Sequence, residues 1–313
     1  MSRRIFKDRM VASTATFVVT LLFAALCWLL TGMRSVENWC GFGASLLVMV
    51  SLRHMVNGNA LMRIRTWMVP ATFIFLSGVV WLLHPFRPVQ LGVVCYALSQ
   101  YYLFRAYQEY HAERQAVISF MFLGAASLFF PPLLFLAVSY YVALLVQLRA
   151  LTFRTLLAGL LGLFVPLELY AAVLFFSGSL DPLLLYVEQL SSFEPLSLPS
   201  WSLVQCVNLV YVFLLFLVGC LHYSYTNFND KIRIRMCFYI IIVQSMILYA
   251  FLALQPQHFE LLLPFIVLES SPVIGHYLTF SKGKVASFFF VLTVILGLAV
   301  VAFNVWNLSL RFF

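Results

Sequence analysis

Two carboxyl groups stand inside otherwise apolar runs, Glu168 within 155–176 and Glu269 within 261–280. A carboxylate near the centre of a hydrocarbon layer costs several kcal/mol unless it is protonated, paired or facing water. An acid kept there is expected either to hold a proton or ligand, or to hydrogen-bond a neighbouring helix as packing glue. Prolines accompany both: Pro166 precedes Glu168, and Pro264 and Pro272 flank Glu269. Proline frees backbone carbonyls and marks the broken or kinked helix that lines a site. No basic residue shares the middle of either run, so the two readings stand level. His276 follows Glu269 by seven residues and shares its helix face, but it lies near the end of the run and reads as an interface histidine.

A second group collects at the ends of runs: Arg34, Glu37, His84, Arg87, His258 and Glu260. If these converge, Arg34, Arg87 and His258 would bind the phosphate of a lipid carrier, with Glu37 or Glu260 as a base. The plainer alternative is a set of solvated loop charges. The catalytic candidates are therefore Glu37, Glu168 and Glu269. No metal or cofactor is expected. The sequence has no His-x-x-x-His or His-x-x-His-His box and no phosphate-binding glycine loop, which disfavours a di-iron membrane oxygenase. The six cysteines form no C-x-x-C pair and read as small apolar fillers.

The elements that must position these residues follow from composition. Of 313 residues, 63% are apolar and 10% charged, against about 25% charged in soluble domains. The apolar residues come in runs at 11–31, 37–53, 67–83, 89–104, 116–130, 133–148, 155–176, 201–222, 237–255, 261–280 and 285–306. Each is of the size that crosses a hydrocarbon layer about 30 Å thick. The expected fold is all-α and integral to the membrane, a bundle of about eleven transmembrane helices in one domain spanning residues 1–313. A retained first helix is expected rather than a cleaved signal peptide.

Charge sets the expected orientation. With the N-terminus cytoplasmic and the C-terminus outside, only Arg34, Arg87 and Arg311 of the 19 Lys and Arg fall outside, the bias that the positive-inside rule predicts. Trp39, Trp81, Trp201 and Trp306 then lie near outer helix ends, and the tyrosines from Tyr96 to Tyr110 with Tyr140 and Tyr141 read as an inner aromatic belt. The net charge of +8 sits at helix ends on one side, so no nucleic-acid partner is expected. Pro131-Pro132 must break the 116–148 stretch into a hairpin or re-entrant pair of short helices. Residues 179–190, with Asp181 as N-cap and Pro182 at the first helical position, read as a short helix on the outer surface.

The stretch from Phe122 to Pro132, then Arg149 to Arg154, then Gly162 to Pro166, with Pro264 to Tyr277 later, resembles an uncharacterised family of bacterial polytopic inner-membrane proteins. Members have at times been labelled beta-carotene monooxygenase. The six histidines here, divided between two membrane faces, do not support that label. More remotely, many short helices, the outward interfacial helix and Gln257 to Pro264 before a late helix are similar to multi-spanning glycosyltransferases that use polyprenyl-phosphate sugars. The resemblance implies a role in cell-envelope biogenesis, with membrane lipids and a polyprenyl-phosphate carrier as partners. Two other expectations stand beside it: a proton-coupled secondary transporter using Glu168 and Glu269, and a non-catalytic membrane subunit.

Overall fold

The structure is a computed structural model that describes residues 14–30, 36–178, 180–192, 201–281 and 283–310. Among these, every regular element is a helix: α1 (Thr14–Leu30), α2 (Val36–Gly58), α3 (Met68–Val79), α4 (Val89–Arg105), α5 (Glu113–Ser127), α6 (Leu136–Val146), α7 (Phe153–Ser177), α8 (Asp181–Ser191), α9 (Leu203–Thr226), α10 (Ile232–Leu254), α11 (Phe259–Phe280) and α12 (Lys284–Leu310). Each apolar run coincides with one helix, and α8 is the additional short one. Among the described residues, six helices are long and apolar enough to cross a membrane: Val36–Gly58, Phe153–Ser177, Leu203–Asn229, Ile232–Leu254, Pro256–Phe280 and Ala286–Asn307. Shorter apolar helices lie at Ala15–Leu30, Met68–Val79 and Pro131–Val146.

Local chemistry explains where the helices begin and end. Thr152 caps α7 by accepting from the Thr155 amide at 3.1 Å, and Gly178, with φ 78°, closes it in the left-handed conformation that glycine adopts without a Cβ penalty. Ser202 and Gln205 form a capping box that opens α9. At Pro131-Pro132 the chain leaves α5 through an extended Phe130, makes a 3-10 turn over Pro131–Phe135 and enters α6, so the long apolar stretch does break into two short helices. One expectation is corrected. Asp181 lies inside the first turn of α8, which has Leu180 in front of it and no side-chain cap bond. The carboxylate there still favours the positive end of the helix dipole.

The core is built around α11, which is buried along nearly its whole length and packs against α3, α4, α9 and α10. Around this axis, α1 lies on α3, α2 on α4, and α5 between α4 and α7. The α5–α7 contact is unusually close. A Cβ on Gly162 would lie 2.3 Å from the Val117 carbonyl oxygen, and one on Gly124 2.5 Å from that of Leu163, so only glycine permits this approach. The outer faces of α7, α9 and α12 expose leucine, valine and phenylalanine side chains, the surface expected of helices solvated by lipid.

Candidate functional site

Glu269 sits midway along α11, 1% exposed. Tyr96 and Gln100 are four residues apart on α4 and therefore share a face, and both reach it. The Tyr96 hydroxyl donates to Glu269 Oε1 at 2.5 Å, and the Gln100 amide donates to the same oxygen. Gln244 of α10 closes the cluster. Its Oε1 accepts from Gln100 at 2.6 Å and lies 3.2 Å from the Tyr96 hydroxyl. Both donors therefore converge on one carboxyl oxygen. Glu269 Oε2 and Gln244 Nε2 have no hydrogen-bond partner among the described residues. A second layer holds α4 in place. Ser99 donates to the Ser119 carbonyl of α5 at 2.8 Å and accepts from the Tyr140 hydroxyl of α6 at 3.1 Å, while Ser119 donates back to the Ser99 carbonyl at 2.9 Å.

Two expectations change here. Tyr96 and Tyr140 are buried within the bundle and hydrogen-bonded, not members of an inner aromatic belt. Glu168 lies on an exposed stretch of α7 beside Phe164, Val165 and Leu169, so the bundle does not bring it to Glu269.

The end-of-run group does converge in part. Arg87 pairs with Glu260, both about two-fifths exposed on their side chains. The Glu37 carbonyl accepts from the Phe86 amide at 3.1 Å, which places Glu37 beside Arg87 in the fold with an exposed side chain. His258, two residues before Glu260, lies against the rings of Phe130 and Phe251. The Arg87 guanidinium is thus already engaged by a carboxylate. Arg34 lies outside the described residues. His84 is buried 3.9 Å from the Trp28 ring, centroid to centroid, and its Nε2–H donates to the Gly78 carbonyl at 3.2 Å. Burial, only partly offset by hydrogen bonds to the Gly78 and Ser77 carbonyls, pushes the His84 imidazole down to about 4.

At the opposite end of α11 stands a cluster that sequence reasoning did not assemble. Arg63, from the α2–α3 connection, places Nε 2.5 Å from Asp230 Oδ1, and His276 places Nε2 3.1 Å from Asp230 Oδ2. The His276 and Asp230 side chains are buried to within 1%, whereas that of Arg63 is 31% exposed. The His276 ring is walled by Tyr223, Phe238 and Phe280. A cavity of about 860 Å³ opens beside the cluster, lined in part by Arg63, His222, Thr226, Tyr277, Thr279 and Ser281. The seven-residue offset from Glu269 to His276 was the available signal. The connection residues Arg63 and Asp230 gave none, because their meeting depends on two distant turns.

No protein-family model, curated protein or solved structure matches this chain.

Proposed function

We propose that this chain is a multi-pass protein of the cytoplasmic membrane, crossing about eleven times with its N-terminus inside and C-terminus outside, and that it acts as a proton-coupled carrier whose working acid is Glu269. The observation that carries this reading is a fully buried carboxyl group, midway along the central helix, with two donors on one oxygen and, among the described residues, no partner on the other. Such a group, lacking a cation, is cheapest as the neutral acid. Its carbonyl oxygen then accepts from Tyr96 and Gln100, and its hydroxyl carries a proton that no described neighbour takes. Pro264 and Pro272 interrupt the same helix, removing two backbone donors and making it the element most open to bending. Glu260 and His276 lie at its two ends, nine and seven residues from Glu269, or about 13 and 10 Å at the usual helical rise. Each is tied into a charge pair. Glu168 has no part in this mechanism.

The test is proton movement into pyranine-loaded proteoliposomes under an imposed potential, with sugars, amino acids, organic ions and neutral lipids offered in turn. Uptake above that of empty vesicles, abolished by Glu269→Gln at equal protein content, is the expected result. Uptake indistinguishable from empty vesicles, or unchanged in Glu269→Gln, rejects the carrier.

A second reading, a transferase of envelope biogenesis acting on a polyprenyl-phosphate sugar, draws on the meeting of Glu37, Arg87, His258 and Glu260 at one end of the bundle. It predicts that purified protein binds such a lipid and that Arg87→Gln weakens that binding.

A further inference from the structure

The cavity of about 860 Å³ beside Arg63 changes character along its length. Arg63, Ile64 and Asn229 line it and are exposed, which places its mouth at this end of the bundle. Further in, Thr226, His222 and Val218 follow one another at steps of four residues down one face of α9, a depth of about 12 Å at the helical rise. Ala286 and Phe289, from the first turns of α12, form the facing wall. Phe289 is itself 37% exposed and its neighbour Phe288 63%, so this wall belongs to the outward surface of α12. The cavity is thus cationic at the mouth and apolar at depth. No residue of the Glu269 cluster lines it.

Arg63 is held in place at that mouth. Its Nε lies 2.5 Å from Asp230 Oδ1, and its guanidinium carbon lies 4.4 Å from the centre of the Phe280 ring. Phe280 is a wall of the same cavity, so the charged end of Arg63 borders it. Nε is one of five N–H donors on the guanidinium, and among the described residues Nη1 and Nη2 have no hydrogen-bond or ion-pair partner. An arginine fixed at one edge presents its other N–H groups as a planar fork, which matches two oxygens of a phosphate. Asp230 balances one charge here, while Arg65 in the same connection as Arg63, with Lys231, Arg233 and Arg235 at the start of α10, leaves this end cationic.

We propose that this cavity holds an anionic phospholipid, its phosphate on the Arg63 fork and an acyl chain along Val218, Ala286 and Phe289. The lining selects the class. A free phosphate leaves the apolar walls uncovered, a neutral lipid leaves the fork unmatched, and a zwitterionic head brings an ammonium toward the cations of this end. The proposal goes beyond the proposed carrier, resting on its membrane placement but not on proton movement.

The test offers the full chain, purified in detergent, phosphatidylglycerol or phosphatidylcholine with matched acyl chains that bear a diazirine. Native mass spectrometry should show phosphatidylglycerol bound about tenfold more tightly, and crosslinks should fall on α9 and α12 peptides. Ile64→Glu sets a carboxylate at an exposed mouth position and should weaken that binding about tenfold, whereas Ile64→Gln should change it about twofold or less. Arg63→Gln should abolish the preference between the lipids. Because it also strips a partner from buried Asp230, the Ile64 pair decides the question if that variant does not fold. Equal binding of the two lipids, crosslinks spread evenly over the outward helices, or equal binding by the two Ile64 variants overturns the proposal. Displacement of the lipid by inorganic phosphate at constant ionic strength also overturns it, giving the cavity to a soluble anion. Carbonate extraction tests the membrane placement separately. A chain that resists extraction yet binds both lipids equally loses this site alone, and a chain released by carbonate loses the membrane placement and the site together.

Discussion

Glu260 and Asp230, near opposite ends of α11, have partners of different strength. Arg87–Glu260 is well exposed, and such a pair is worth about 0–1 kcal/mol. Asp230 is buried between Arg63 and His276, where removing one partner typically costs about 3–5 kcal/mol by leaving a buried charge uncompensated. The Arg63–Asp230–His276 end is therefore the firmer anchor, and the Arg87–Glu260 end is the one that opens at little cost. His84 adds a pH dependence to that softer end. Its folded value of about 4 lies below the ordinary value of about 6.5, so the unfolded chain takes up the proton first. Stability is then full above pH 6.5, falls as the pH drops below it, and levels off below about 4, with a total loss of roughly 3 kcal/mol. Thermal unfolding in detergent across this range should show the fall in the wild type and a flatter profile in His84→Phe, which keeps a ring against Trp28. Parallel profiles would remove His84 as the cause.

Among the elements, α11 and α7 represent two ways of living in a membrane. The first is enclosed by other helices and carries the polar cluster. The second shows most of its surface outward and is joined to the bundle by glycines. Polar ties also join other helices. Asn208 of α9 and Asn304 of α12 bond each other at 3.0 and 3.1 Å, and Asn304 also donates to the Val79 carbonyl. Such interhelical bonds average about 0.6 kcal/mol, so close packing must supply the rest. Gly162 tests this. The atom that a new Cβ meets is a backbone oxygen, which cannot swing away. Gly162→Ala should therefore lower stability by about 1–3 kcal/mol through overpacking. Gly43→Ala, where among the described residues a new Cβ meets no heavy atom within 4 Å apart from its chain neighbours and its own helix backbone, should leave stability unchanged or raise it by up to about 1 kcal/mol. Equal melting temperatures for the two variants would show that α5 and α7 have room to separate at this contact.

For the whole molecule, the charge asymmetry and the helix ends make one consistent map. Trp201 near the start of α9 donates to the Pro256 carbonyl just before α11 at 3.1 Å, so these two helices begin at the same end. Arg63, Asp230 and His276 gather at the other. In the proposed orientation the α8 surface faces outward and the α4–α5 connection faces the cytoplasm. In a cysteine-free background, a membrane-impermeant thiol reagent applied to intact cells should modify Glu188→Cys and spare His111→Cys until the membrane is opened. Labelling of both, or of His111→Cys alone, reverses or breaks the map.

The sequence by itself determined the all-helical class with runs apolar enough to cross a membrane, the position of every described apolar helix, the break at Pro131-Pro132 and the place of Glu269 in the middle of an apolar helix. All of these follow from local quantities: run length, the missing donor of proline, and the cost of a carboxyl group in hydrocarbon. Tertiary structure decided which polar residues meet. Nothing within a helix of period 3.6 tells whether Glu168 turns inward or outward when both of its faces are apolar, and the structure turns it out. Tyr96, Gln100 and Gln244 become a site only because α4 and α10 both pack on α11, and Arg63 reaches Asp230 only because two connections far apart in the chain end at the same corner. Contacts of that kind are set by how whole helices pack, for which a pattern of apolar residues supplies the driving force but not the pairing.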